Sequence, residues 1–134
     1  MIPRFLLDTH IVVRWLAQPK KLSRDQTRVL REAVRKQEPV AVSAITLLEI
    51  AVLFGAGATL SAVPLDELFG ELEANPAFQI LPLTVTIAAE VAALGGSLRD
   101  PADRAIVATA RVHKLRLITS DQRVIDSKLV PVVV

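Results

Sequence analysis

Five short apolar runs punctuate the chain: R-F-L-L at 4–7, V-A-V at 40–42, Q-I-L-P-L at 79–83, L-R-L-I-T at 115–119 and V-P-V-V-V at 130–134. Between them lie stretches with helical spacing, over approximately residues 10–17, 23–36, 44–54, 65–74, 85–95 and 102–113, and a short turn is expected after Ser120. Strands that alternate with helices pair in parallel through right-handed crossovers, and the helices then cover both faces of the sheet. The chain is 51% hydrophobic, which suggests strands buried on both faces rather than alternating ones. The expected fold is therefore α/β, a three-layer α/β/α arrangement around a mainly parallel, five-stranded sheet. With 134 residues, no internal repeat and no linker-like segment, one domain over 1–134 is expected, with Gly55 to Pro64 connecting two helices.

Several function classes drop out. The chain has no cysteine, which removes disulfide frameworks, thiolate metal sites and a cysteine nucleophile. Asp8 interrupts the apolar start almost at once, so export is not expected and the cytoplasm is the expected compartment. Pro39 to Leu65 carries only Glu49 as a charge, but Ser43, Thr46, Gly55, Gly57, Thr59 and Ser61 divide it into a strand, an apolar helix and a turn. That pattern suits a buried strand-helix unit better than a membrane span of roughly 20 apolar residues. No G-x-x-x-x-G-K-[ST] phosphate loop is present.

Charge is unevenly distributed. Residues 1–36 hold nine basic against three acidic residues, residues 37–98 hold seven acids and no Lys or Arg, and residues 99–134 hold seven basic against four acidic. A basic surface for a polyanion beside an acidic pocket is the arrangement this asymmetry suggests.

Four acids stand where carboxylates are unusual or well aimed. Asp8 follows the first strand directly, at the carboxyl end where open α/β sheets build their sites; it is equally suited to cap the helix that begins T-H-I-V-V. Glu49 lies in S-A-I-T-L-L-E-I-A-V-L-F, with Ile45, Thr46, Val52 and Leu53 at helical spacing and no local cation. A buried carboxylate must reach a metal, a distant base or a proton. In R-D-P-A-D-R, Asp100 is placed to cap a helix, with Pro101 in its first position and Asp103 in its third, where an acid complements the helix dipole. In I-T-S-D, Asp121 follows a buried strand and is also suited to cap what comes next. Taken together, Asp8, Glu49, Asp103 and Asp121 can face one crevice. Clustered carboxylates repel unless a cation lies between them, and all-oxygen ligation suits Mg²⁺ or Mn²⁺. The chemistry implied is phosphoryl transfer, in which such ions activate water and stabilise the leaving oxygen.

The ordered motifs L-L-D-T-H, S-A-I-T-L-L-E-I-A, R-D-P-A-D-R-A-I-V-A-T-A and L-I-T-S-D resemble those of the PIN-domain ribonucleases, and among them the VapC-type toxins of toxin-antitoxin pairs. The resemblance spans nearly the whole chain. It implies that Asp8, Glu49, Asp103 and Asp121 form an acidic quartet that holds Mg²⁺ or Mn²⁺, with Asp121 its usual variable member. It further implies endonucleolytic hydrolysis of RNA to a 3′-hydroxyl and a 5′-phosphate, Thr9 and Ser120 as hydroxyls beside the ligands, and Asp100 as a capping acid near the metal. A cognate antitoxin and a homodimer are the partners implied. Two departures are visible: many relatives have an aromatic residue where this chain has Leu48, and a histidine common shortly before R-D-P is replaced by Ser97 or Leu98.

Arg24, Arg28, Arg31 and Arg35 recur at spacings of four, three and four, opposite Leu22, Val29, Leu30 and Ala33. This basic stripe is either an RNA-binding surface or a solvated helix face. Trp15 is expected in the core beside Ile11. The two histidines, His10 and His113, are not brought together by anything in the sequence, so histidine acid-base cleavage is not expected. A phosphoaspartyl phosphatase would want an acid where His10 stands. The competing reading from another class is a PIN-like or receiver-like domain that binds RNA or protein without cleaving. The segments D-E-L-F-G-E-L-E and L-L-E-I-A-V-L-F could supply a dimer or antitoxin surface, with core packing the simpler account.

Overall fold

A computed structural model describes residues 2–57 and 62–134. The middle of the expected Gly55 to Pro64 connection, with Thr59 and Ser61, lies outside the described residues. The elements run β1 (Phe5–Leu7), α1 (Thr9–Ala17), a 3-10 turn (Pro19–Lys21), α2 (Arg24–Arg35), β2 (Val40–Ser43), α3 (Ala44–Gly55), α4 (Leu65–Ala74), β3 (Phe78–Leu81), α5 (Val85–Ala93), α6 (Pro101–His113), β4 (Arg116–Ile118), α7 (Gln122–Ser127) and β5 (Val132–Val133).

All strand pairs are parallel, in the order β3-β2-β1-β4-β5. β1 is the centre, with Leu6 opposite Ala41 on one side and Leu117 on the other. Successive side chains of a strand point to opposite faces, and the core divides accordingly. Phe5, Leu7, Val40, Val42 and Ile118 pack with Ile11, Val12, Val29, Leu30, Leu68 and Leu72 from α1, α2 and α4. Leu6, Ala41 and Leu117 pack with Ile87, Ile106, Val107 and Val124 from α5, α6 and α7. The three expected layers are present. α3 supplies Ile50 to the first core, while Ile45 packs against the second. Trp15 is partly buried and meets Phe78 edge-on, with ring centroids 5.4 Å apart.

The chain leaves β1 towards β2 on one side, and later returns to β4 on the other. This reversal creates a crevice outside the carboxyl ends of the central strands, the usual ligand position in open α/β sheets. The helices that frame it are well started. Ser23 and Gln26 close a reciprocal capping box on α2, and Asp100 accepts the Asp103 N–H at 2.9 Å with Pro101 in the first position of α6. Each cap satisfies backbone N–H groups that would otherwise lack partners.

Arg104 has a structural part that its sequence did not reveal. Its guanidinium donates to the carbonyls of Val91, Gly95 and Leu98. It therefore gathers the C-terminal end of α5 and the loop after it onto α6, beside Asp103.

α3 corrects one expectation. Thr46 is buried, but Leu48, Val52 and Leu53 are 59%, 61% and 39% exposed. Core packing does not account for this face, so Glu49 lies at the edge of the core, half-buried, with apolar neighbours that face outward.

Candidate metal centre

The structure brings all four expected acids to one crevice, lined by Asp8, Glu49, Asp103 and Asp121 together with Thr9, His10, Arg14, Lys21 and Arg123. They arrive from four segments: the end of β1, the middle of α3, the first turn of α6 and the loop after β4. Asp8 is only 4% exposed. Its Oδ1 accepts the Thr9 N–H at 2.9 Å and its Oδ2 accepts the Thr119 hydroxyl at 2.7 Å. The Asp8 N–H meanwhile donates to Ile118 O at 3.0 Å, which ties the residue to the end of β4.

Thr119 is the site residue that sequence reasoning passed over. It is fully buried, and its Oγ1 also accepts the Asp121 N–H at 3.0 Å. One hydroxyl thus joins two of the acids. Ser120, the neighbour expected to serve, instead accepts from Gln26 Nε2 at 2.9 Å. Gln26 is itself fully buried and also donates to Thr119 O at 3.3 Å, so α2 braces the loop that carries Asp121.

Thr9 occupies the expected position beside the acids. Its hydroxyl donates to Glu49 Oε1, and Thr46 Oγ1 lies 3.1 Å from it. With the Thr9 proton committed to Glu49, Thr46 donates to Thr9, forming a short chain from α3 through α1 and back to α3. Burial raises the proton affinity of Glu49 above the usual carboxylate range, the Thr9 hydrogen bond opposes this, and the charges of Asp8 and Asp100 add to it.

Asp103 is the most perturbed of the four. Burial, followed by the charges of Asp100, Asp8 and Asp121, pushes its pKa up to about 7, against an opposing contribution from Arg123. Its Oδ2 is buried without a hydrogen-bond partner among the described residues. Buried polar atoms are nearly always hydrogen-bonded; the Arg123 guanidinium stands 3.7 Å from this oxygen, beyond hydrogen-bond reach. Asp121 is the opposite case. Arg123 binds it through both Nε (3.3 Å) and Nη2 (3.0 Å), and that hydrogen bonding holds its carboxyl below the usual range.

His10 also lines the crevice, with Nδ1 3.7 Å from Asp8 Oδ2. Its Nε2 accepts the Ser120 N–H at 2.8 Å, so the ring is a neutral imidazole, and burial lowers its proton affinity. His113 ends α6 and does not line the crevice.

The donor set fits a hard cation: four carboxylates, no sulfur, and one buried oxygen without a hydrogen bond among the described residues. Among the described residues no three of these groups lie close enough to close a coordination sphere as they stand. Four carboxylates around one crevice repel one another, so a divalent cation would be favoured among them.

The arginine stripe lies outside this crevice. Arg24, Arg28, Arg31 and Arg35 line a separate groove along α2. Arg28 stands 3.7 Å from Asp25 and Arg35 pairs with Glu32, whereas Arg24 and Arg31 have no ion-pair partner among the described residues. The crevice has its own cations in Arg14, Lys21 and Arg123, none of which stands out in the sequence.

Fold and site together define a parallel α/β domain with an acidic cluster at the carboxyl ends of its central strands. The chain belongs to the PIN domain family, whose pattern matches residues 5–128. It is 34% identical over 119 residues to ribonuclease VapC22 of Mycobacterium tuberculosis strain ATCC 25618 / H37Rv, covering 88% of this chain and 87% of that protein. Among solved structures it is similar to FitAcB from Neisseria gonorrhoeae, with 28% identity, a TM-score of 0.68 and coverage of 96% of this chain and 95% of that one. It is likewise similar to a toxin-antitoxin complex from Klebsiella pneumoniae, with 26% identity, a TM-score of 0.61 and coverage of 96% and 95%.

Proposed function

We propose that this chain is a divalent-metal-dependent endoribonuclease and the toxin of a toxin-antitoxin pair. The observation that carries the proposal is the convergence of Asp8, Glu49, Asp103 and Asp121 from four separate segments, with Asp103 Oδ2 buried there without a hydrogen bond among the described residues. A relative named a ribonuclease and a related structure described as a toxin-antitoxin complex support the substrate and the partner.

Asp8, Glu49, Asp103 and Asp121 would hold Mg²⁺ or Mn²⁺. The ion would supply an activated water and charge stabilisation at phosphorus. Thr119 holds Asp8 Oδ2 and the backbone of Asp121, while Thr9 holds Asp8 Oδ1 through its N–H and orients Glu49 through its hydroxyl. Asp100 anchors the first turn of α6 and so the Asp103 backbone. Lys21, an exposed cation lining the same crevice, would add positive charge for the RNA backbone. Arg24 and Arg31, without ion pairs among the described residues, would offer a second strip along α2 for a longer RNA. The exposed apolar face of α3, Leu48, Val52 and Leu53, suits a second copy or the antitoxin. No described helix is long and apolar enough to cross a membrane, and the cytoplasm is the compartment we propose.

The test is cleavage of mixed cellular RNA by the purified protein with Mg²⁺ or Mn²⁺, with chelator, and with Asp8→Ala or Asp103→Ala. Cleavage should require the ion and both acids. Cleavage that survives chelator and substitutions would overturn the carboxylate mechanism. RNA binding without cleavage under every condition would favour a non-catalytic PIN-like binding domain.

A further inference from the structure

Arg123 is out of place in a site built to receive a cation. It lies two residues beyond Asp121, in the first turn of α7, and its side chain is 73% exposed. A guanidinium so free to move would ordinarily be solvated. Instead its fork closes on Asp121, with Nε 3.3 Å from Oδ1 and Nη2 3.0 Å from Oδ2. The same Nη2 is 3.7 Å from Asp103 Oδ2, the buried oxygen that lacks a hydrogen-bond partner. One guanidinium therefore faces two of the four carboxylates that would hold the ion.

We infer that Arg123 is a built-in counter-ion that competes with the divalent metal for Asp103 and Asp121. In the metal-free protein it balances part of the crevice's negative charge and keeps the two acids from repelling each other. When an ion binds, the arginine gives up both carboxylates, and its exposed side chain swings to the crevice mouth, where a fork of N–H donors is suited to an RNA phosphate. Metal affinity is thereby set lower than four bare carboxylates would give, and substrate and metal reinforce each other because the arginine released by one is taken up by the other. This inference rests on the metal reading of the site given above.

The experiment is Mn²⁺ binding followed by electron paramagnetic resonance, with no RNA present, in wild type, Arg123→Gln, Arg123→Lys and Arg14→Gln. Arg14 lines the same crevice but pairs with none of the acids among the described residues, so its loss reports the general field alone. Arg123→Gln should bind Mn²⁺ roughly threefold or more tightly than wild type, Arg123→Lys should fall between them, and Arg14→Gln should stay near wild type. In an Asp121→Asn background the gain from Arg123→Gln should shrink, since the arginine's main partner is gone. Unchanged or weaker binding by Arg123→Gln would overturn the inference while leaving the metal reading intact, as would an equal gain in Arg14→Gln. Absence of Mn²⁺ binding by wild type at millimolar concentration would overturn the metal reading and this inference with it.

Discussion

Replacing Asp103 by Asn should stabilise the metal-free protein at alkaline pH while removing its response to metal. The two side chains are nearly the same size, so the change is one of charge. Asp103 has its pKa pushed from 3.8 to about 7, and each tenfold is worth about 1.4 kcal/mol, so the charged form costs the fold at most roughly 4 kcal/mol. Relaxation and water in an open crevice reduce that figure. The substitution also gives up the favourable position of an acid in the first turn of α6, worth about 0.3–1 kcal/mol. A net gain of roughly 1–2 kcal/mol remains, or several degrees in melting temperature for a domain of this size. The sign with pH follows from the raised pKa. Below about pH 4 both folded and unfolded chains are protonated at this position and the variant has no advantage. Between the unfolded value near 4 and the folded value near 7, the wild type loses stability as pH rises, and the gap reaches its full size above about 7. Thermal melts in chelator at half-unit steps from pH 4 to 9 would trace the gap directly. Added Mn²⁺ should raise the melting temperature of wild type and leave Asp103→Asn nearly unmoved. An Asn variant that is less stable than wild type at pH 8 in chelator would refute the idea that Asp103 is held charged against its environment.

Thr119→Val keeps the shape but leaves Asp8 Oδ2 and the Asp121 N–H without their partner; RNA cleavage should fall about 10–100-fold, and urea unfolding should show a loss of roughly 1–3 kcal/mol. Arg104→Met would strip the carbonyls of Val91, Gly95 and Leu98 of their shared donor, and hydrogen exchange at the start of α6 should rise with a stability loss of about 2–4 kcal/mol. Arg31→Ala should leave the melting temperature within about a degree of wild type. It should lower RNA affinity and reduce the salt dependence of binding by about one ion, read from titrations at several salt concentrations.

Much of this architecture was legible before any coordinates. R-F-L-L and V-A-V read as doubly buried strands because their apolar residues do not alternate, and that implies helices on both faces; L-R-L-I-T instead carries Arg116, which is exposed. R-D-P-A-D-R declared the start of α6, because a capping Asp, a first-position Pro and an acid in the third position each satisfy a different demand of a helix N-terminus. What stayed hidden depends on contacts far apart in the chain. Nothing local distinguishes Thr119, which grips Asp8, from Ser120, which faces Gln26; both are small hydroxyls ending a strand. Arg104 read as part of a motif and not as the clamp of a preceding helix. The strand order, with β1 between β2 and β4, follows from tertiary packing and from no periodicity in the sequence. The apolar stretch around Glu49 pointed to burial, yet Val52 and Leu53 face outward, since hydropathy cannot tell a core from a surface shaped for another protein.

The crevice draws on positions 8, 49, 103 and 121, and two of its acids are joined through Thr119, just beyond the next-to-last strand. A chain emerging from the ribosome therefore has no such centre until β4 has been made and has settled against β1. Truncated products and stalled nascent chains would lack it altogether. Timing is built into the topology: the four carboxylates share a crevice only once β4 is in place, so a partner that recognises the finished surface meets the protein as that crevice forms.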